Sequence, residues 1–167
     1  MAYIDYEYFK KIYTDDILDE SAFTRLLYKA ERKIDLFTTG IDGYKKLREA
    51  FPTDESDAEA VKRCVVEVLH LIFEIDNATA NAMLGRGYKL RDDGSYQGNT
   101  VTSVSAGNES ISYSGGGTSA STVLESAIAN AGARDKLFAD TMSEYLSGVP
   151  DANGVNLMFL GRYPKNE

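Results

Sequence analysis

SDAEAVKRCVVEVLHLIFEIDNATANAML, residues Ser56 to Leu84, decides how this chain folds. Its apolar residues Val61, Cys64, Val65, Val68, Ile72, Ile75 and Ala78 recur at intervals of three and four, the period of one helix face. Leu69, Leu71 and Phe73 widen that face, and polar residues persist as a strip at Arg63, Glu67, His70 and Glu74. A helix apolar around most of its girth is central in a small domain. Ser56, with Glu59 three residues on, predicts a capping box, and Asp57 adds negative charge where the helix dipole favours it. Phe23, Leu27, Ile34, Val61, Val65, Val68, Ile72, Phe138 and Met142 form the expected core.

Upstream of this helix, Ala2 to Tyr13 is rich in aromatics, with Phe9, Ile12 and Tyr13 placed for a short helix. The segment either packs rings on the core or offers an interface, since aromatics are enriched in interface cores. A second helix begins at Asp19, capped by Asp19 or Ser21, with Phe23, Leu26, Leu27, Ala30, Ile34 and Phe37 as its apolar stripe. Arg25, Lys29, Arg32 and Lys33 lie on its other face, and Thr38-Thr39-Gly40 ends it. A short helix over Gly43 to Phe51 follows, stopped by Pro52.

Downstream, Gly85 to Ser121 turns to Gly, Ser, Asn and Thr. Within it Val101 to Ala106 and Glu109 to Tyr113 alternate around Gly107-Asn108, which predicts a β-hairpin with Val104 and Ala106 sharing a face with Ile111 and Tyr113. Such a hairpin is marginal alone, and its flanks, Arg91 to Thr100 and Ser114 to Ser121, read as mobile. Helix resumes near Ser121 with Val123, Leu124, Ala127 and Ile128, breaks at Gly132, and continues through Leu137, Phe138, Met142, Tyr145 and Leu146 to a stop at Gly148 and Pro150. Val155 to Leu160 is apolar on both faces and reads as a strand in need of cover, from its own core or from another chain.

The expected class is therefore mainly α: one domain over 1–167, a small helical bundle around one long central helix. It carries an inserted β-hairpin, flexible over 94–117, and an extended C-terminal arm over 149–167.

Composition narrows function further. The chain has 167 residues, 43% of them hydrophobic, and a formal net charge of −8. That balance argues against tight binding to nucleic acid, whose phosphates demand a basic patch. Cys64 is the only cysteine, so a disulfide framework is excluded, and its place on the apolar face marks it as a buried thiol. The N-terminus lacks the basic start and apolar run of a secretory signal, and no stretch approaches the ~20 apolar residues that span a bilayer. His70 is the only histidine, which leaves little for a metal centre. Gly85-Arg-Gly87 lacks the third glycine of a dinucleotide fingerprint, and Gly115 to Thr118 lacks the lysine of a phosphate loop. The expectation is no enzyme, no catalytic residues and no cofactor or metal.

The ordered parts together resemble a known family. An aromatic start, the helix ESAFTRLLYKAERKIDLFTTG, the long helix, the excursion with VTSVSAGNESISYS, the final helix ending YLSGV and the terminal GVNLMFLGRYP are similar to the head–tail connector, or adaptor, proteins of tailed bacteriophages and prophages. The resemblance spans essentially the whole chain, and it departs from the commoner pattern at Pro150-Asp-Ala-Asn153, a longer link before the arm. It implies a structural neck protein that forms a ring of about a dozen subunits beneath the portal, extends the DNA channel and joins capsid to tail. DNA would pass without specific binding, and the acidic balance suits a wall that does not grip phosphate. The implied partners are the portal protein, a stopper or tail-completion protein and further copies of the chain, with no membrane. The implied location is the virion head–tail junction after synthesis in the bacterial host cytoplasm. Val155, Leu157, Met158, Phe159, Leu160, Arg162 and Tyr163 become the portal-binding arm, and Val101, Val104, Ile111 and Tyr113 the partner-binding hairpin. The alternatives are another head-completion or tail-joining protein, separated only by its partner, and a small cytoplasmic helical enzyme or ligand-binding protein, which would need a pocket of convergent polar groups.

Overall fold

A computed structural model describes residues 2–13, 18–85, 88–90, 96–98 and 123–164. The described chain is mainly helical: α1 Tyr6–Ile12, α2 Glu20–Thr38, α3 Lys46–Glu49, α4 Glu55–Gly85, α5 Val123–Ala129 and α6 Ala131–Leu146. Two three-residue strands, β1 Tyr88–Leu90 and β2 Tyr96–Gly98, pair antiparallel with Lys89 opposite Gln97. Residues 96–98 are thus paired backbone, where alternation alone suggested only a mobile flank. The hairpin expected over 101–113 lies outside the described residues, together with Val101, Val104, Ile111 and Tyr113. The chain divides into two compact units, 1–73 with 135–167 and 74–134.

In the first unit, burial follows the periodicity of α4. Val61, Cys64, Val65, Val66, Val68 and Leu69 are wholly buried, and Ile72 nearly so. Each such side chain contributes roughly 1.5–3 kcal/mol relative to exposure. All the residues expected in the core are buried. The cap of α4 differs from expectation. Asp54, not Ser56, receives the orphan amides, its carboxylate accepting from Ser56 N at 2.9 Å and Asp57 N at 3.2 Å. A carboxylate is charged as well as accepting, so it answers the free N–H groups and the dipole together.

α2 starts as its sequence predicts, with Asp19 accepting from Ala22 N at 2.7 Å. Phe23, Leu26, Leu27, Ala30 and Ile34 are buried, while Phe37 is only half-buried. The aromatic start packs on this core. Phe9 is buried against Phe23, with ring centroids 5.4 Å apart, and Tyr3 stacks on Phe51 at 5.6 Å. The Tyr3 amide donates to Glu31 and its hydroxyl to Asp35, which also holds Arg48 at 2.7 Å. Burial, followed by its bond to Asp35, raises the Tyr3 phenol well above its ordinary pKa. Tyr13 stacks on His70 at 4.5 Å.

In the second unit, Ala127 of α5 is buried, and Asn130 separates α5 from α6, its side chain accepting from Gly132 N at 2.7 Å and Ala133 N at 3.2 Å. The break expected at Gly132 therefore falls two residues earlier, because the asparagine side chain supplies a cap that glycine lacks. α6 runs on into the first unit, where it ends at Leu146, followed by Gly148 in the left-handed region at φ 81°.

Candidate docking surface

Residues 149–164 form neither a strand nor a free arm, which corrects both expectations. The segment folds back on its own unit. Leu157 N donates to Val149 O at 2.9 Å and Asp151 N to Val155 O at 2.8 Å, with a single bridge between Pro150 and Asn156. The physical reason is the polar residues between the apolar ones. Asp151 is buried, and its carboxylate accepts from the backbone N–H of Asn153 and of Val155, both at 2.9 Å. Asn156 accepts from Met158 N at 2.7 Å, and Gly154 takes φ 80°, a conformation open to glycine. These side chains close turns that a continuous strand would forbid.

Lys46 anchors the segment. The residue is wholly buried, and its ammonium donates to Leu157 O at 2.8 Å and to Phe159 O. Desolvation pulls its pKa below the usual lysine range, opposed by the charges of Asp151 and Asp42. Tyr163 closes the far end. Its hydroxyl donates to Asp151 at 2.6 Å and accepts from the Asn153 amide at 2.9 Å. Burial first, then the bond to Asp151, pushes the Tyr163 phenol up to about 12. Asp42 accepts from Tyr163 N at 2.9 Å, the main reason its carboxyl is held below the usual range. Tyr44 stacks on Tyr163 with centroids 3.9 Å apart.

This framework presents an apolar pad. Ile41 N donates to Leu160 O at 2.9 Å, which brings the two backbones together. Ile41 is 83% exposed, Leu160 57% and Phe159 45%. Gly40 permits a close backbone approach beneath the pad: a Cβ there would lie 2.7 Å from Gly161 O, and the Phe159 ring lies over Gly161. Beside the pad, Asp42, Tyr44, Arg162, Tyr163 and Pro164 line an open cleft.

The structure therefore sorts the residues expected to bind a partner. Phe159, Leu160 and Arg162 are exposed, Val155 and Met158 half-buried, and Leu157 and Tyr163 buried within their own unit. Sequence reading missed Ile41, a lone apolar residue in a turn, and it missed Lys46 and Asp151, whose charges gave no sign of burial. Elsewhere, burial raises the Cys64 thiol to about 12, so it is inert as a thiolate at neutral pH. Among the described residues no cluster of His, Cys, Asp and Glu is arranged to hold a metal ion, and no helix is long and apolar enough to cross a membrane.

Compared with protein-family models, curated proteins and solved structures, the chain matches none significantly.

Proposed function

We propose that this protein is a structural neck component of a tailed phage, a head–tail connector that assembles as a ring beneath the portal and binds it through the pad of Ile41, Phe159 and Leu160. The observation that supports this reading is the pairing of an exposed apolar pad with a buried polar clasp. Lys46, Asp151 and Tyr163 hold a segment whose apolar side chains Phe159 and Leu160 stay exposed. A pre-ordered apolar surface binds at low entropic cost, because its side chains need little further ordering. The resemblance of the sequence motifs to connector proteins favours the portal as the partner. The inserted β-hairpin of that reading stays with this proposal, as a second contact that orders on assembly.

The clasp makes the C-terminal segment part of the folded unit. A chain ending at Gly154 would strand the Lys46 ammonium and remove buried Leu157 and Tyr163, so lost binding would report unfolding. The discriminating variant is F159S/L160S, altered only at exposed positions. The expected result is co-sedimentation of the full-length protein with the portal encoded beside it, reduced at least about tenfold by F159S/L160S, equal to about 1.4 kcal/mol, with the helical circular dichroism unchanged. Undiminished binding by the variant would remove the pad from the account, and no binding by the full-length chain would overturn the connector reading.

A further inference from the structure

The N-terminal segment, α3 and α4 surround a hollow that neither the pad nor the clasp uses. It has a volume of about 310 Å³ and is lined by Ala2, Tyr3, Leu47, Arg48, Phe51 and Lys62, all within the first unit. Its walls are largely apolar. Leu47 is buried, and the Tyr3 ring stacks on that of Phe51 at 5.6 Å. Small-molecule sites are built this way, with apolar and aromatic walls, few polar groups and volumes from about 300 Å³ upward. A cavity of about 150 Å³ takes up a benzene, so this one has room for a ring and a short chain.

Most polar groups around the hollow are committed. The Tyr3 amide donates to Glu31 and its hydroxyl to Asp35. The Arg48 guanidinium lies against the same two carboxylates, 2.7 Å from Asp35 and 3.7 Å from Glu31. Glu59, three residues before Lys62 on α4, is held by Arg63 at 3.0 Å. Lys62 differs. It is half-buried, its ammonium lies 5.8 Å from the centre of the Tyr8 ring, and among the described residues no carboxylate pairs with it. A cation partly withdrawn from water and without a counter-charge attracts an anion more strongly than one in open solvent.

We propose that this hollow binds a small free carboxylic acid, its aromatic or branched apolar body against Tyr3, Leu47 and Phe51 and its carboxylate on the Lys62 ammonium. One uncommitted ammonium suits one carboxylate, whereas a phosphate, with more charge and more acceptor oxygens, calls for several donors. The end of a peptide fits less well. It would bring an amide N–H into the hollow, and the lining side chains include no carboxylate or amide to accept it. The hollow shares no residue with the pad, so binding here does not depend on the portal reading.

The test is amide NMR of the full chain titrated with phenylbutyrate and, separately, with phenylbutyramide, its uncharged analogue. The expected result is saturable shifts at Tyr3, Leu47, Phe51 and Lys62, a Kd of about 1 mM or lower for the acid, and binding at least about tenfold weaker for the amide. K62M keeps the apolar stem and removes the charge, and it should weaken the acid at least about tenfold with the helical circular dichroism unchanged. The comparison of acid with amide uses the unaltered chain, so it decides the matter even if K62M fails to fold. No saturable shift at these amides, equal affinity for acid and amide, or undiminished binding in folded K62M would overturn the proposal. A peptide ending in phenylalanine that binds at least about tenfold more tightly than phenylbutyrate would also overturn it and give the hollow to a chain end.

Discussion

α4 and the C-terminal segment 149–164 are both apolar stretches, yet they reach their places by opposite means. α4 buries Val61, Val65, Val68 and Leu69 because their spacing puts them on one side of a helix. Segment 149–164 buries only Val149, Leu157 and Tyr163 among its apolar and aromatic residues, and is held by Lys46, Asp151 and Asn156 through the backbone. Periodic apolar residues specify burial by themselves. An aperiodic apolar run is placed by whatever polar groups need its carbonyls and amides, and the side chains left over face outward.

The contrast can be broken at its strong end first. V68D places an unpaired carboxylate in the α4 core and is expected to cost more than about 4 kcal/mol and unfold the first unit. A variant with wild-type circular dichroism and melting temperature would show that α4 is not central. Within the C-terminal segment, L157A is expected to cost about 2–5 kcal/mol, the range for a buried leucine, as chemical denaturation would measure. A loss below about 0.5 kcal/mol would mean that the segment is not packed.

K46M sharpens the comparison, because it keeps the apolar stem and removes the donor. Leaving the Leu157 and Phe159 carbonyls unsatisfied is expected to cost about 1–3 kcal/mol, with limited proteolysis falling first on 149–164. Unchanged proteolysis would deny Lys46 its anchoring role. A pH scan tests the other end of the clasp. The Tyr163 phenol is raised to about 12 in the folded chain, above its ordinary 10.0. Its contribution is therefore full below pH 10 and lost as the pH rises towards 12. Stability should decline across that window, less steeply in Y163F, and an identical decline in Y163F would assign the loss to other groups. The smallest effect belongs to F159S/L160S, expected to change stability by less than about 0.5 kcal/mol. A larger loss would show that the pad packs within its own unit.

The helices were legible in the sequence to the extent that apolar spacing carried them. The core residues of α2, α4 and α6 were read correctly from intervals of three and four. The cap of α4 was missed because Ser56 with Glu59 satisfies a familiar pattern, whereas Asp54, two residues earlier, makes the bonds. The C-terminal segment was misread because Val155 to Leu160 was weighed by its apolar content, and the turn-forming side chains Asp151 and Asn156 were not. No local pattern marks Lys46 as buried, since its acceptors lie 111 and 113 residues away in sequence. A comparable separation in sequence hid Ile41, whose amide donates to Leu160 O.

Hydrogen exchange of the C-terminal amides tests the central claim most directly, because a surface held ready for a partner must be ordered before the partner arrives. In the isolated protein, the amides of Ile41, Asp151, Val155, Leu157 and Tyr163, each hydrogen-bonded within the clasp, are expected to exchange far more slowly than those of an unstructured chain. Protection at these positions, lost selectively in K46M while Val65 and Val68 stay protected, is the predicted result. Exchange at unstructured rates across 149–164 in the wild-type protein would contradict the clasp and return this segment to a free arm.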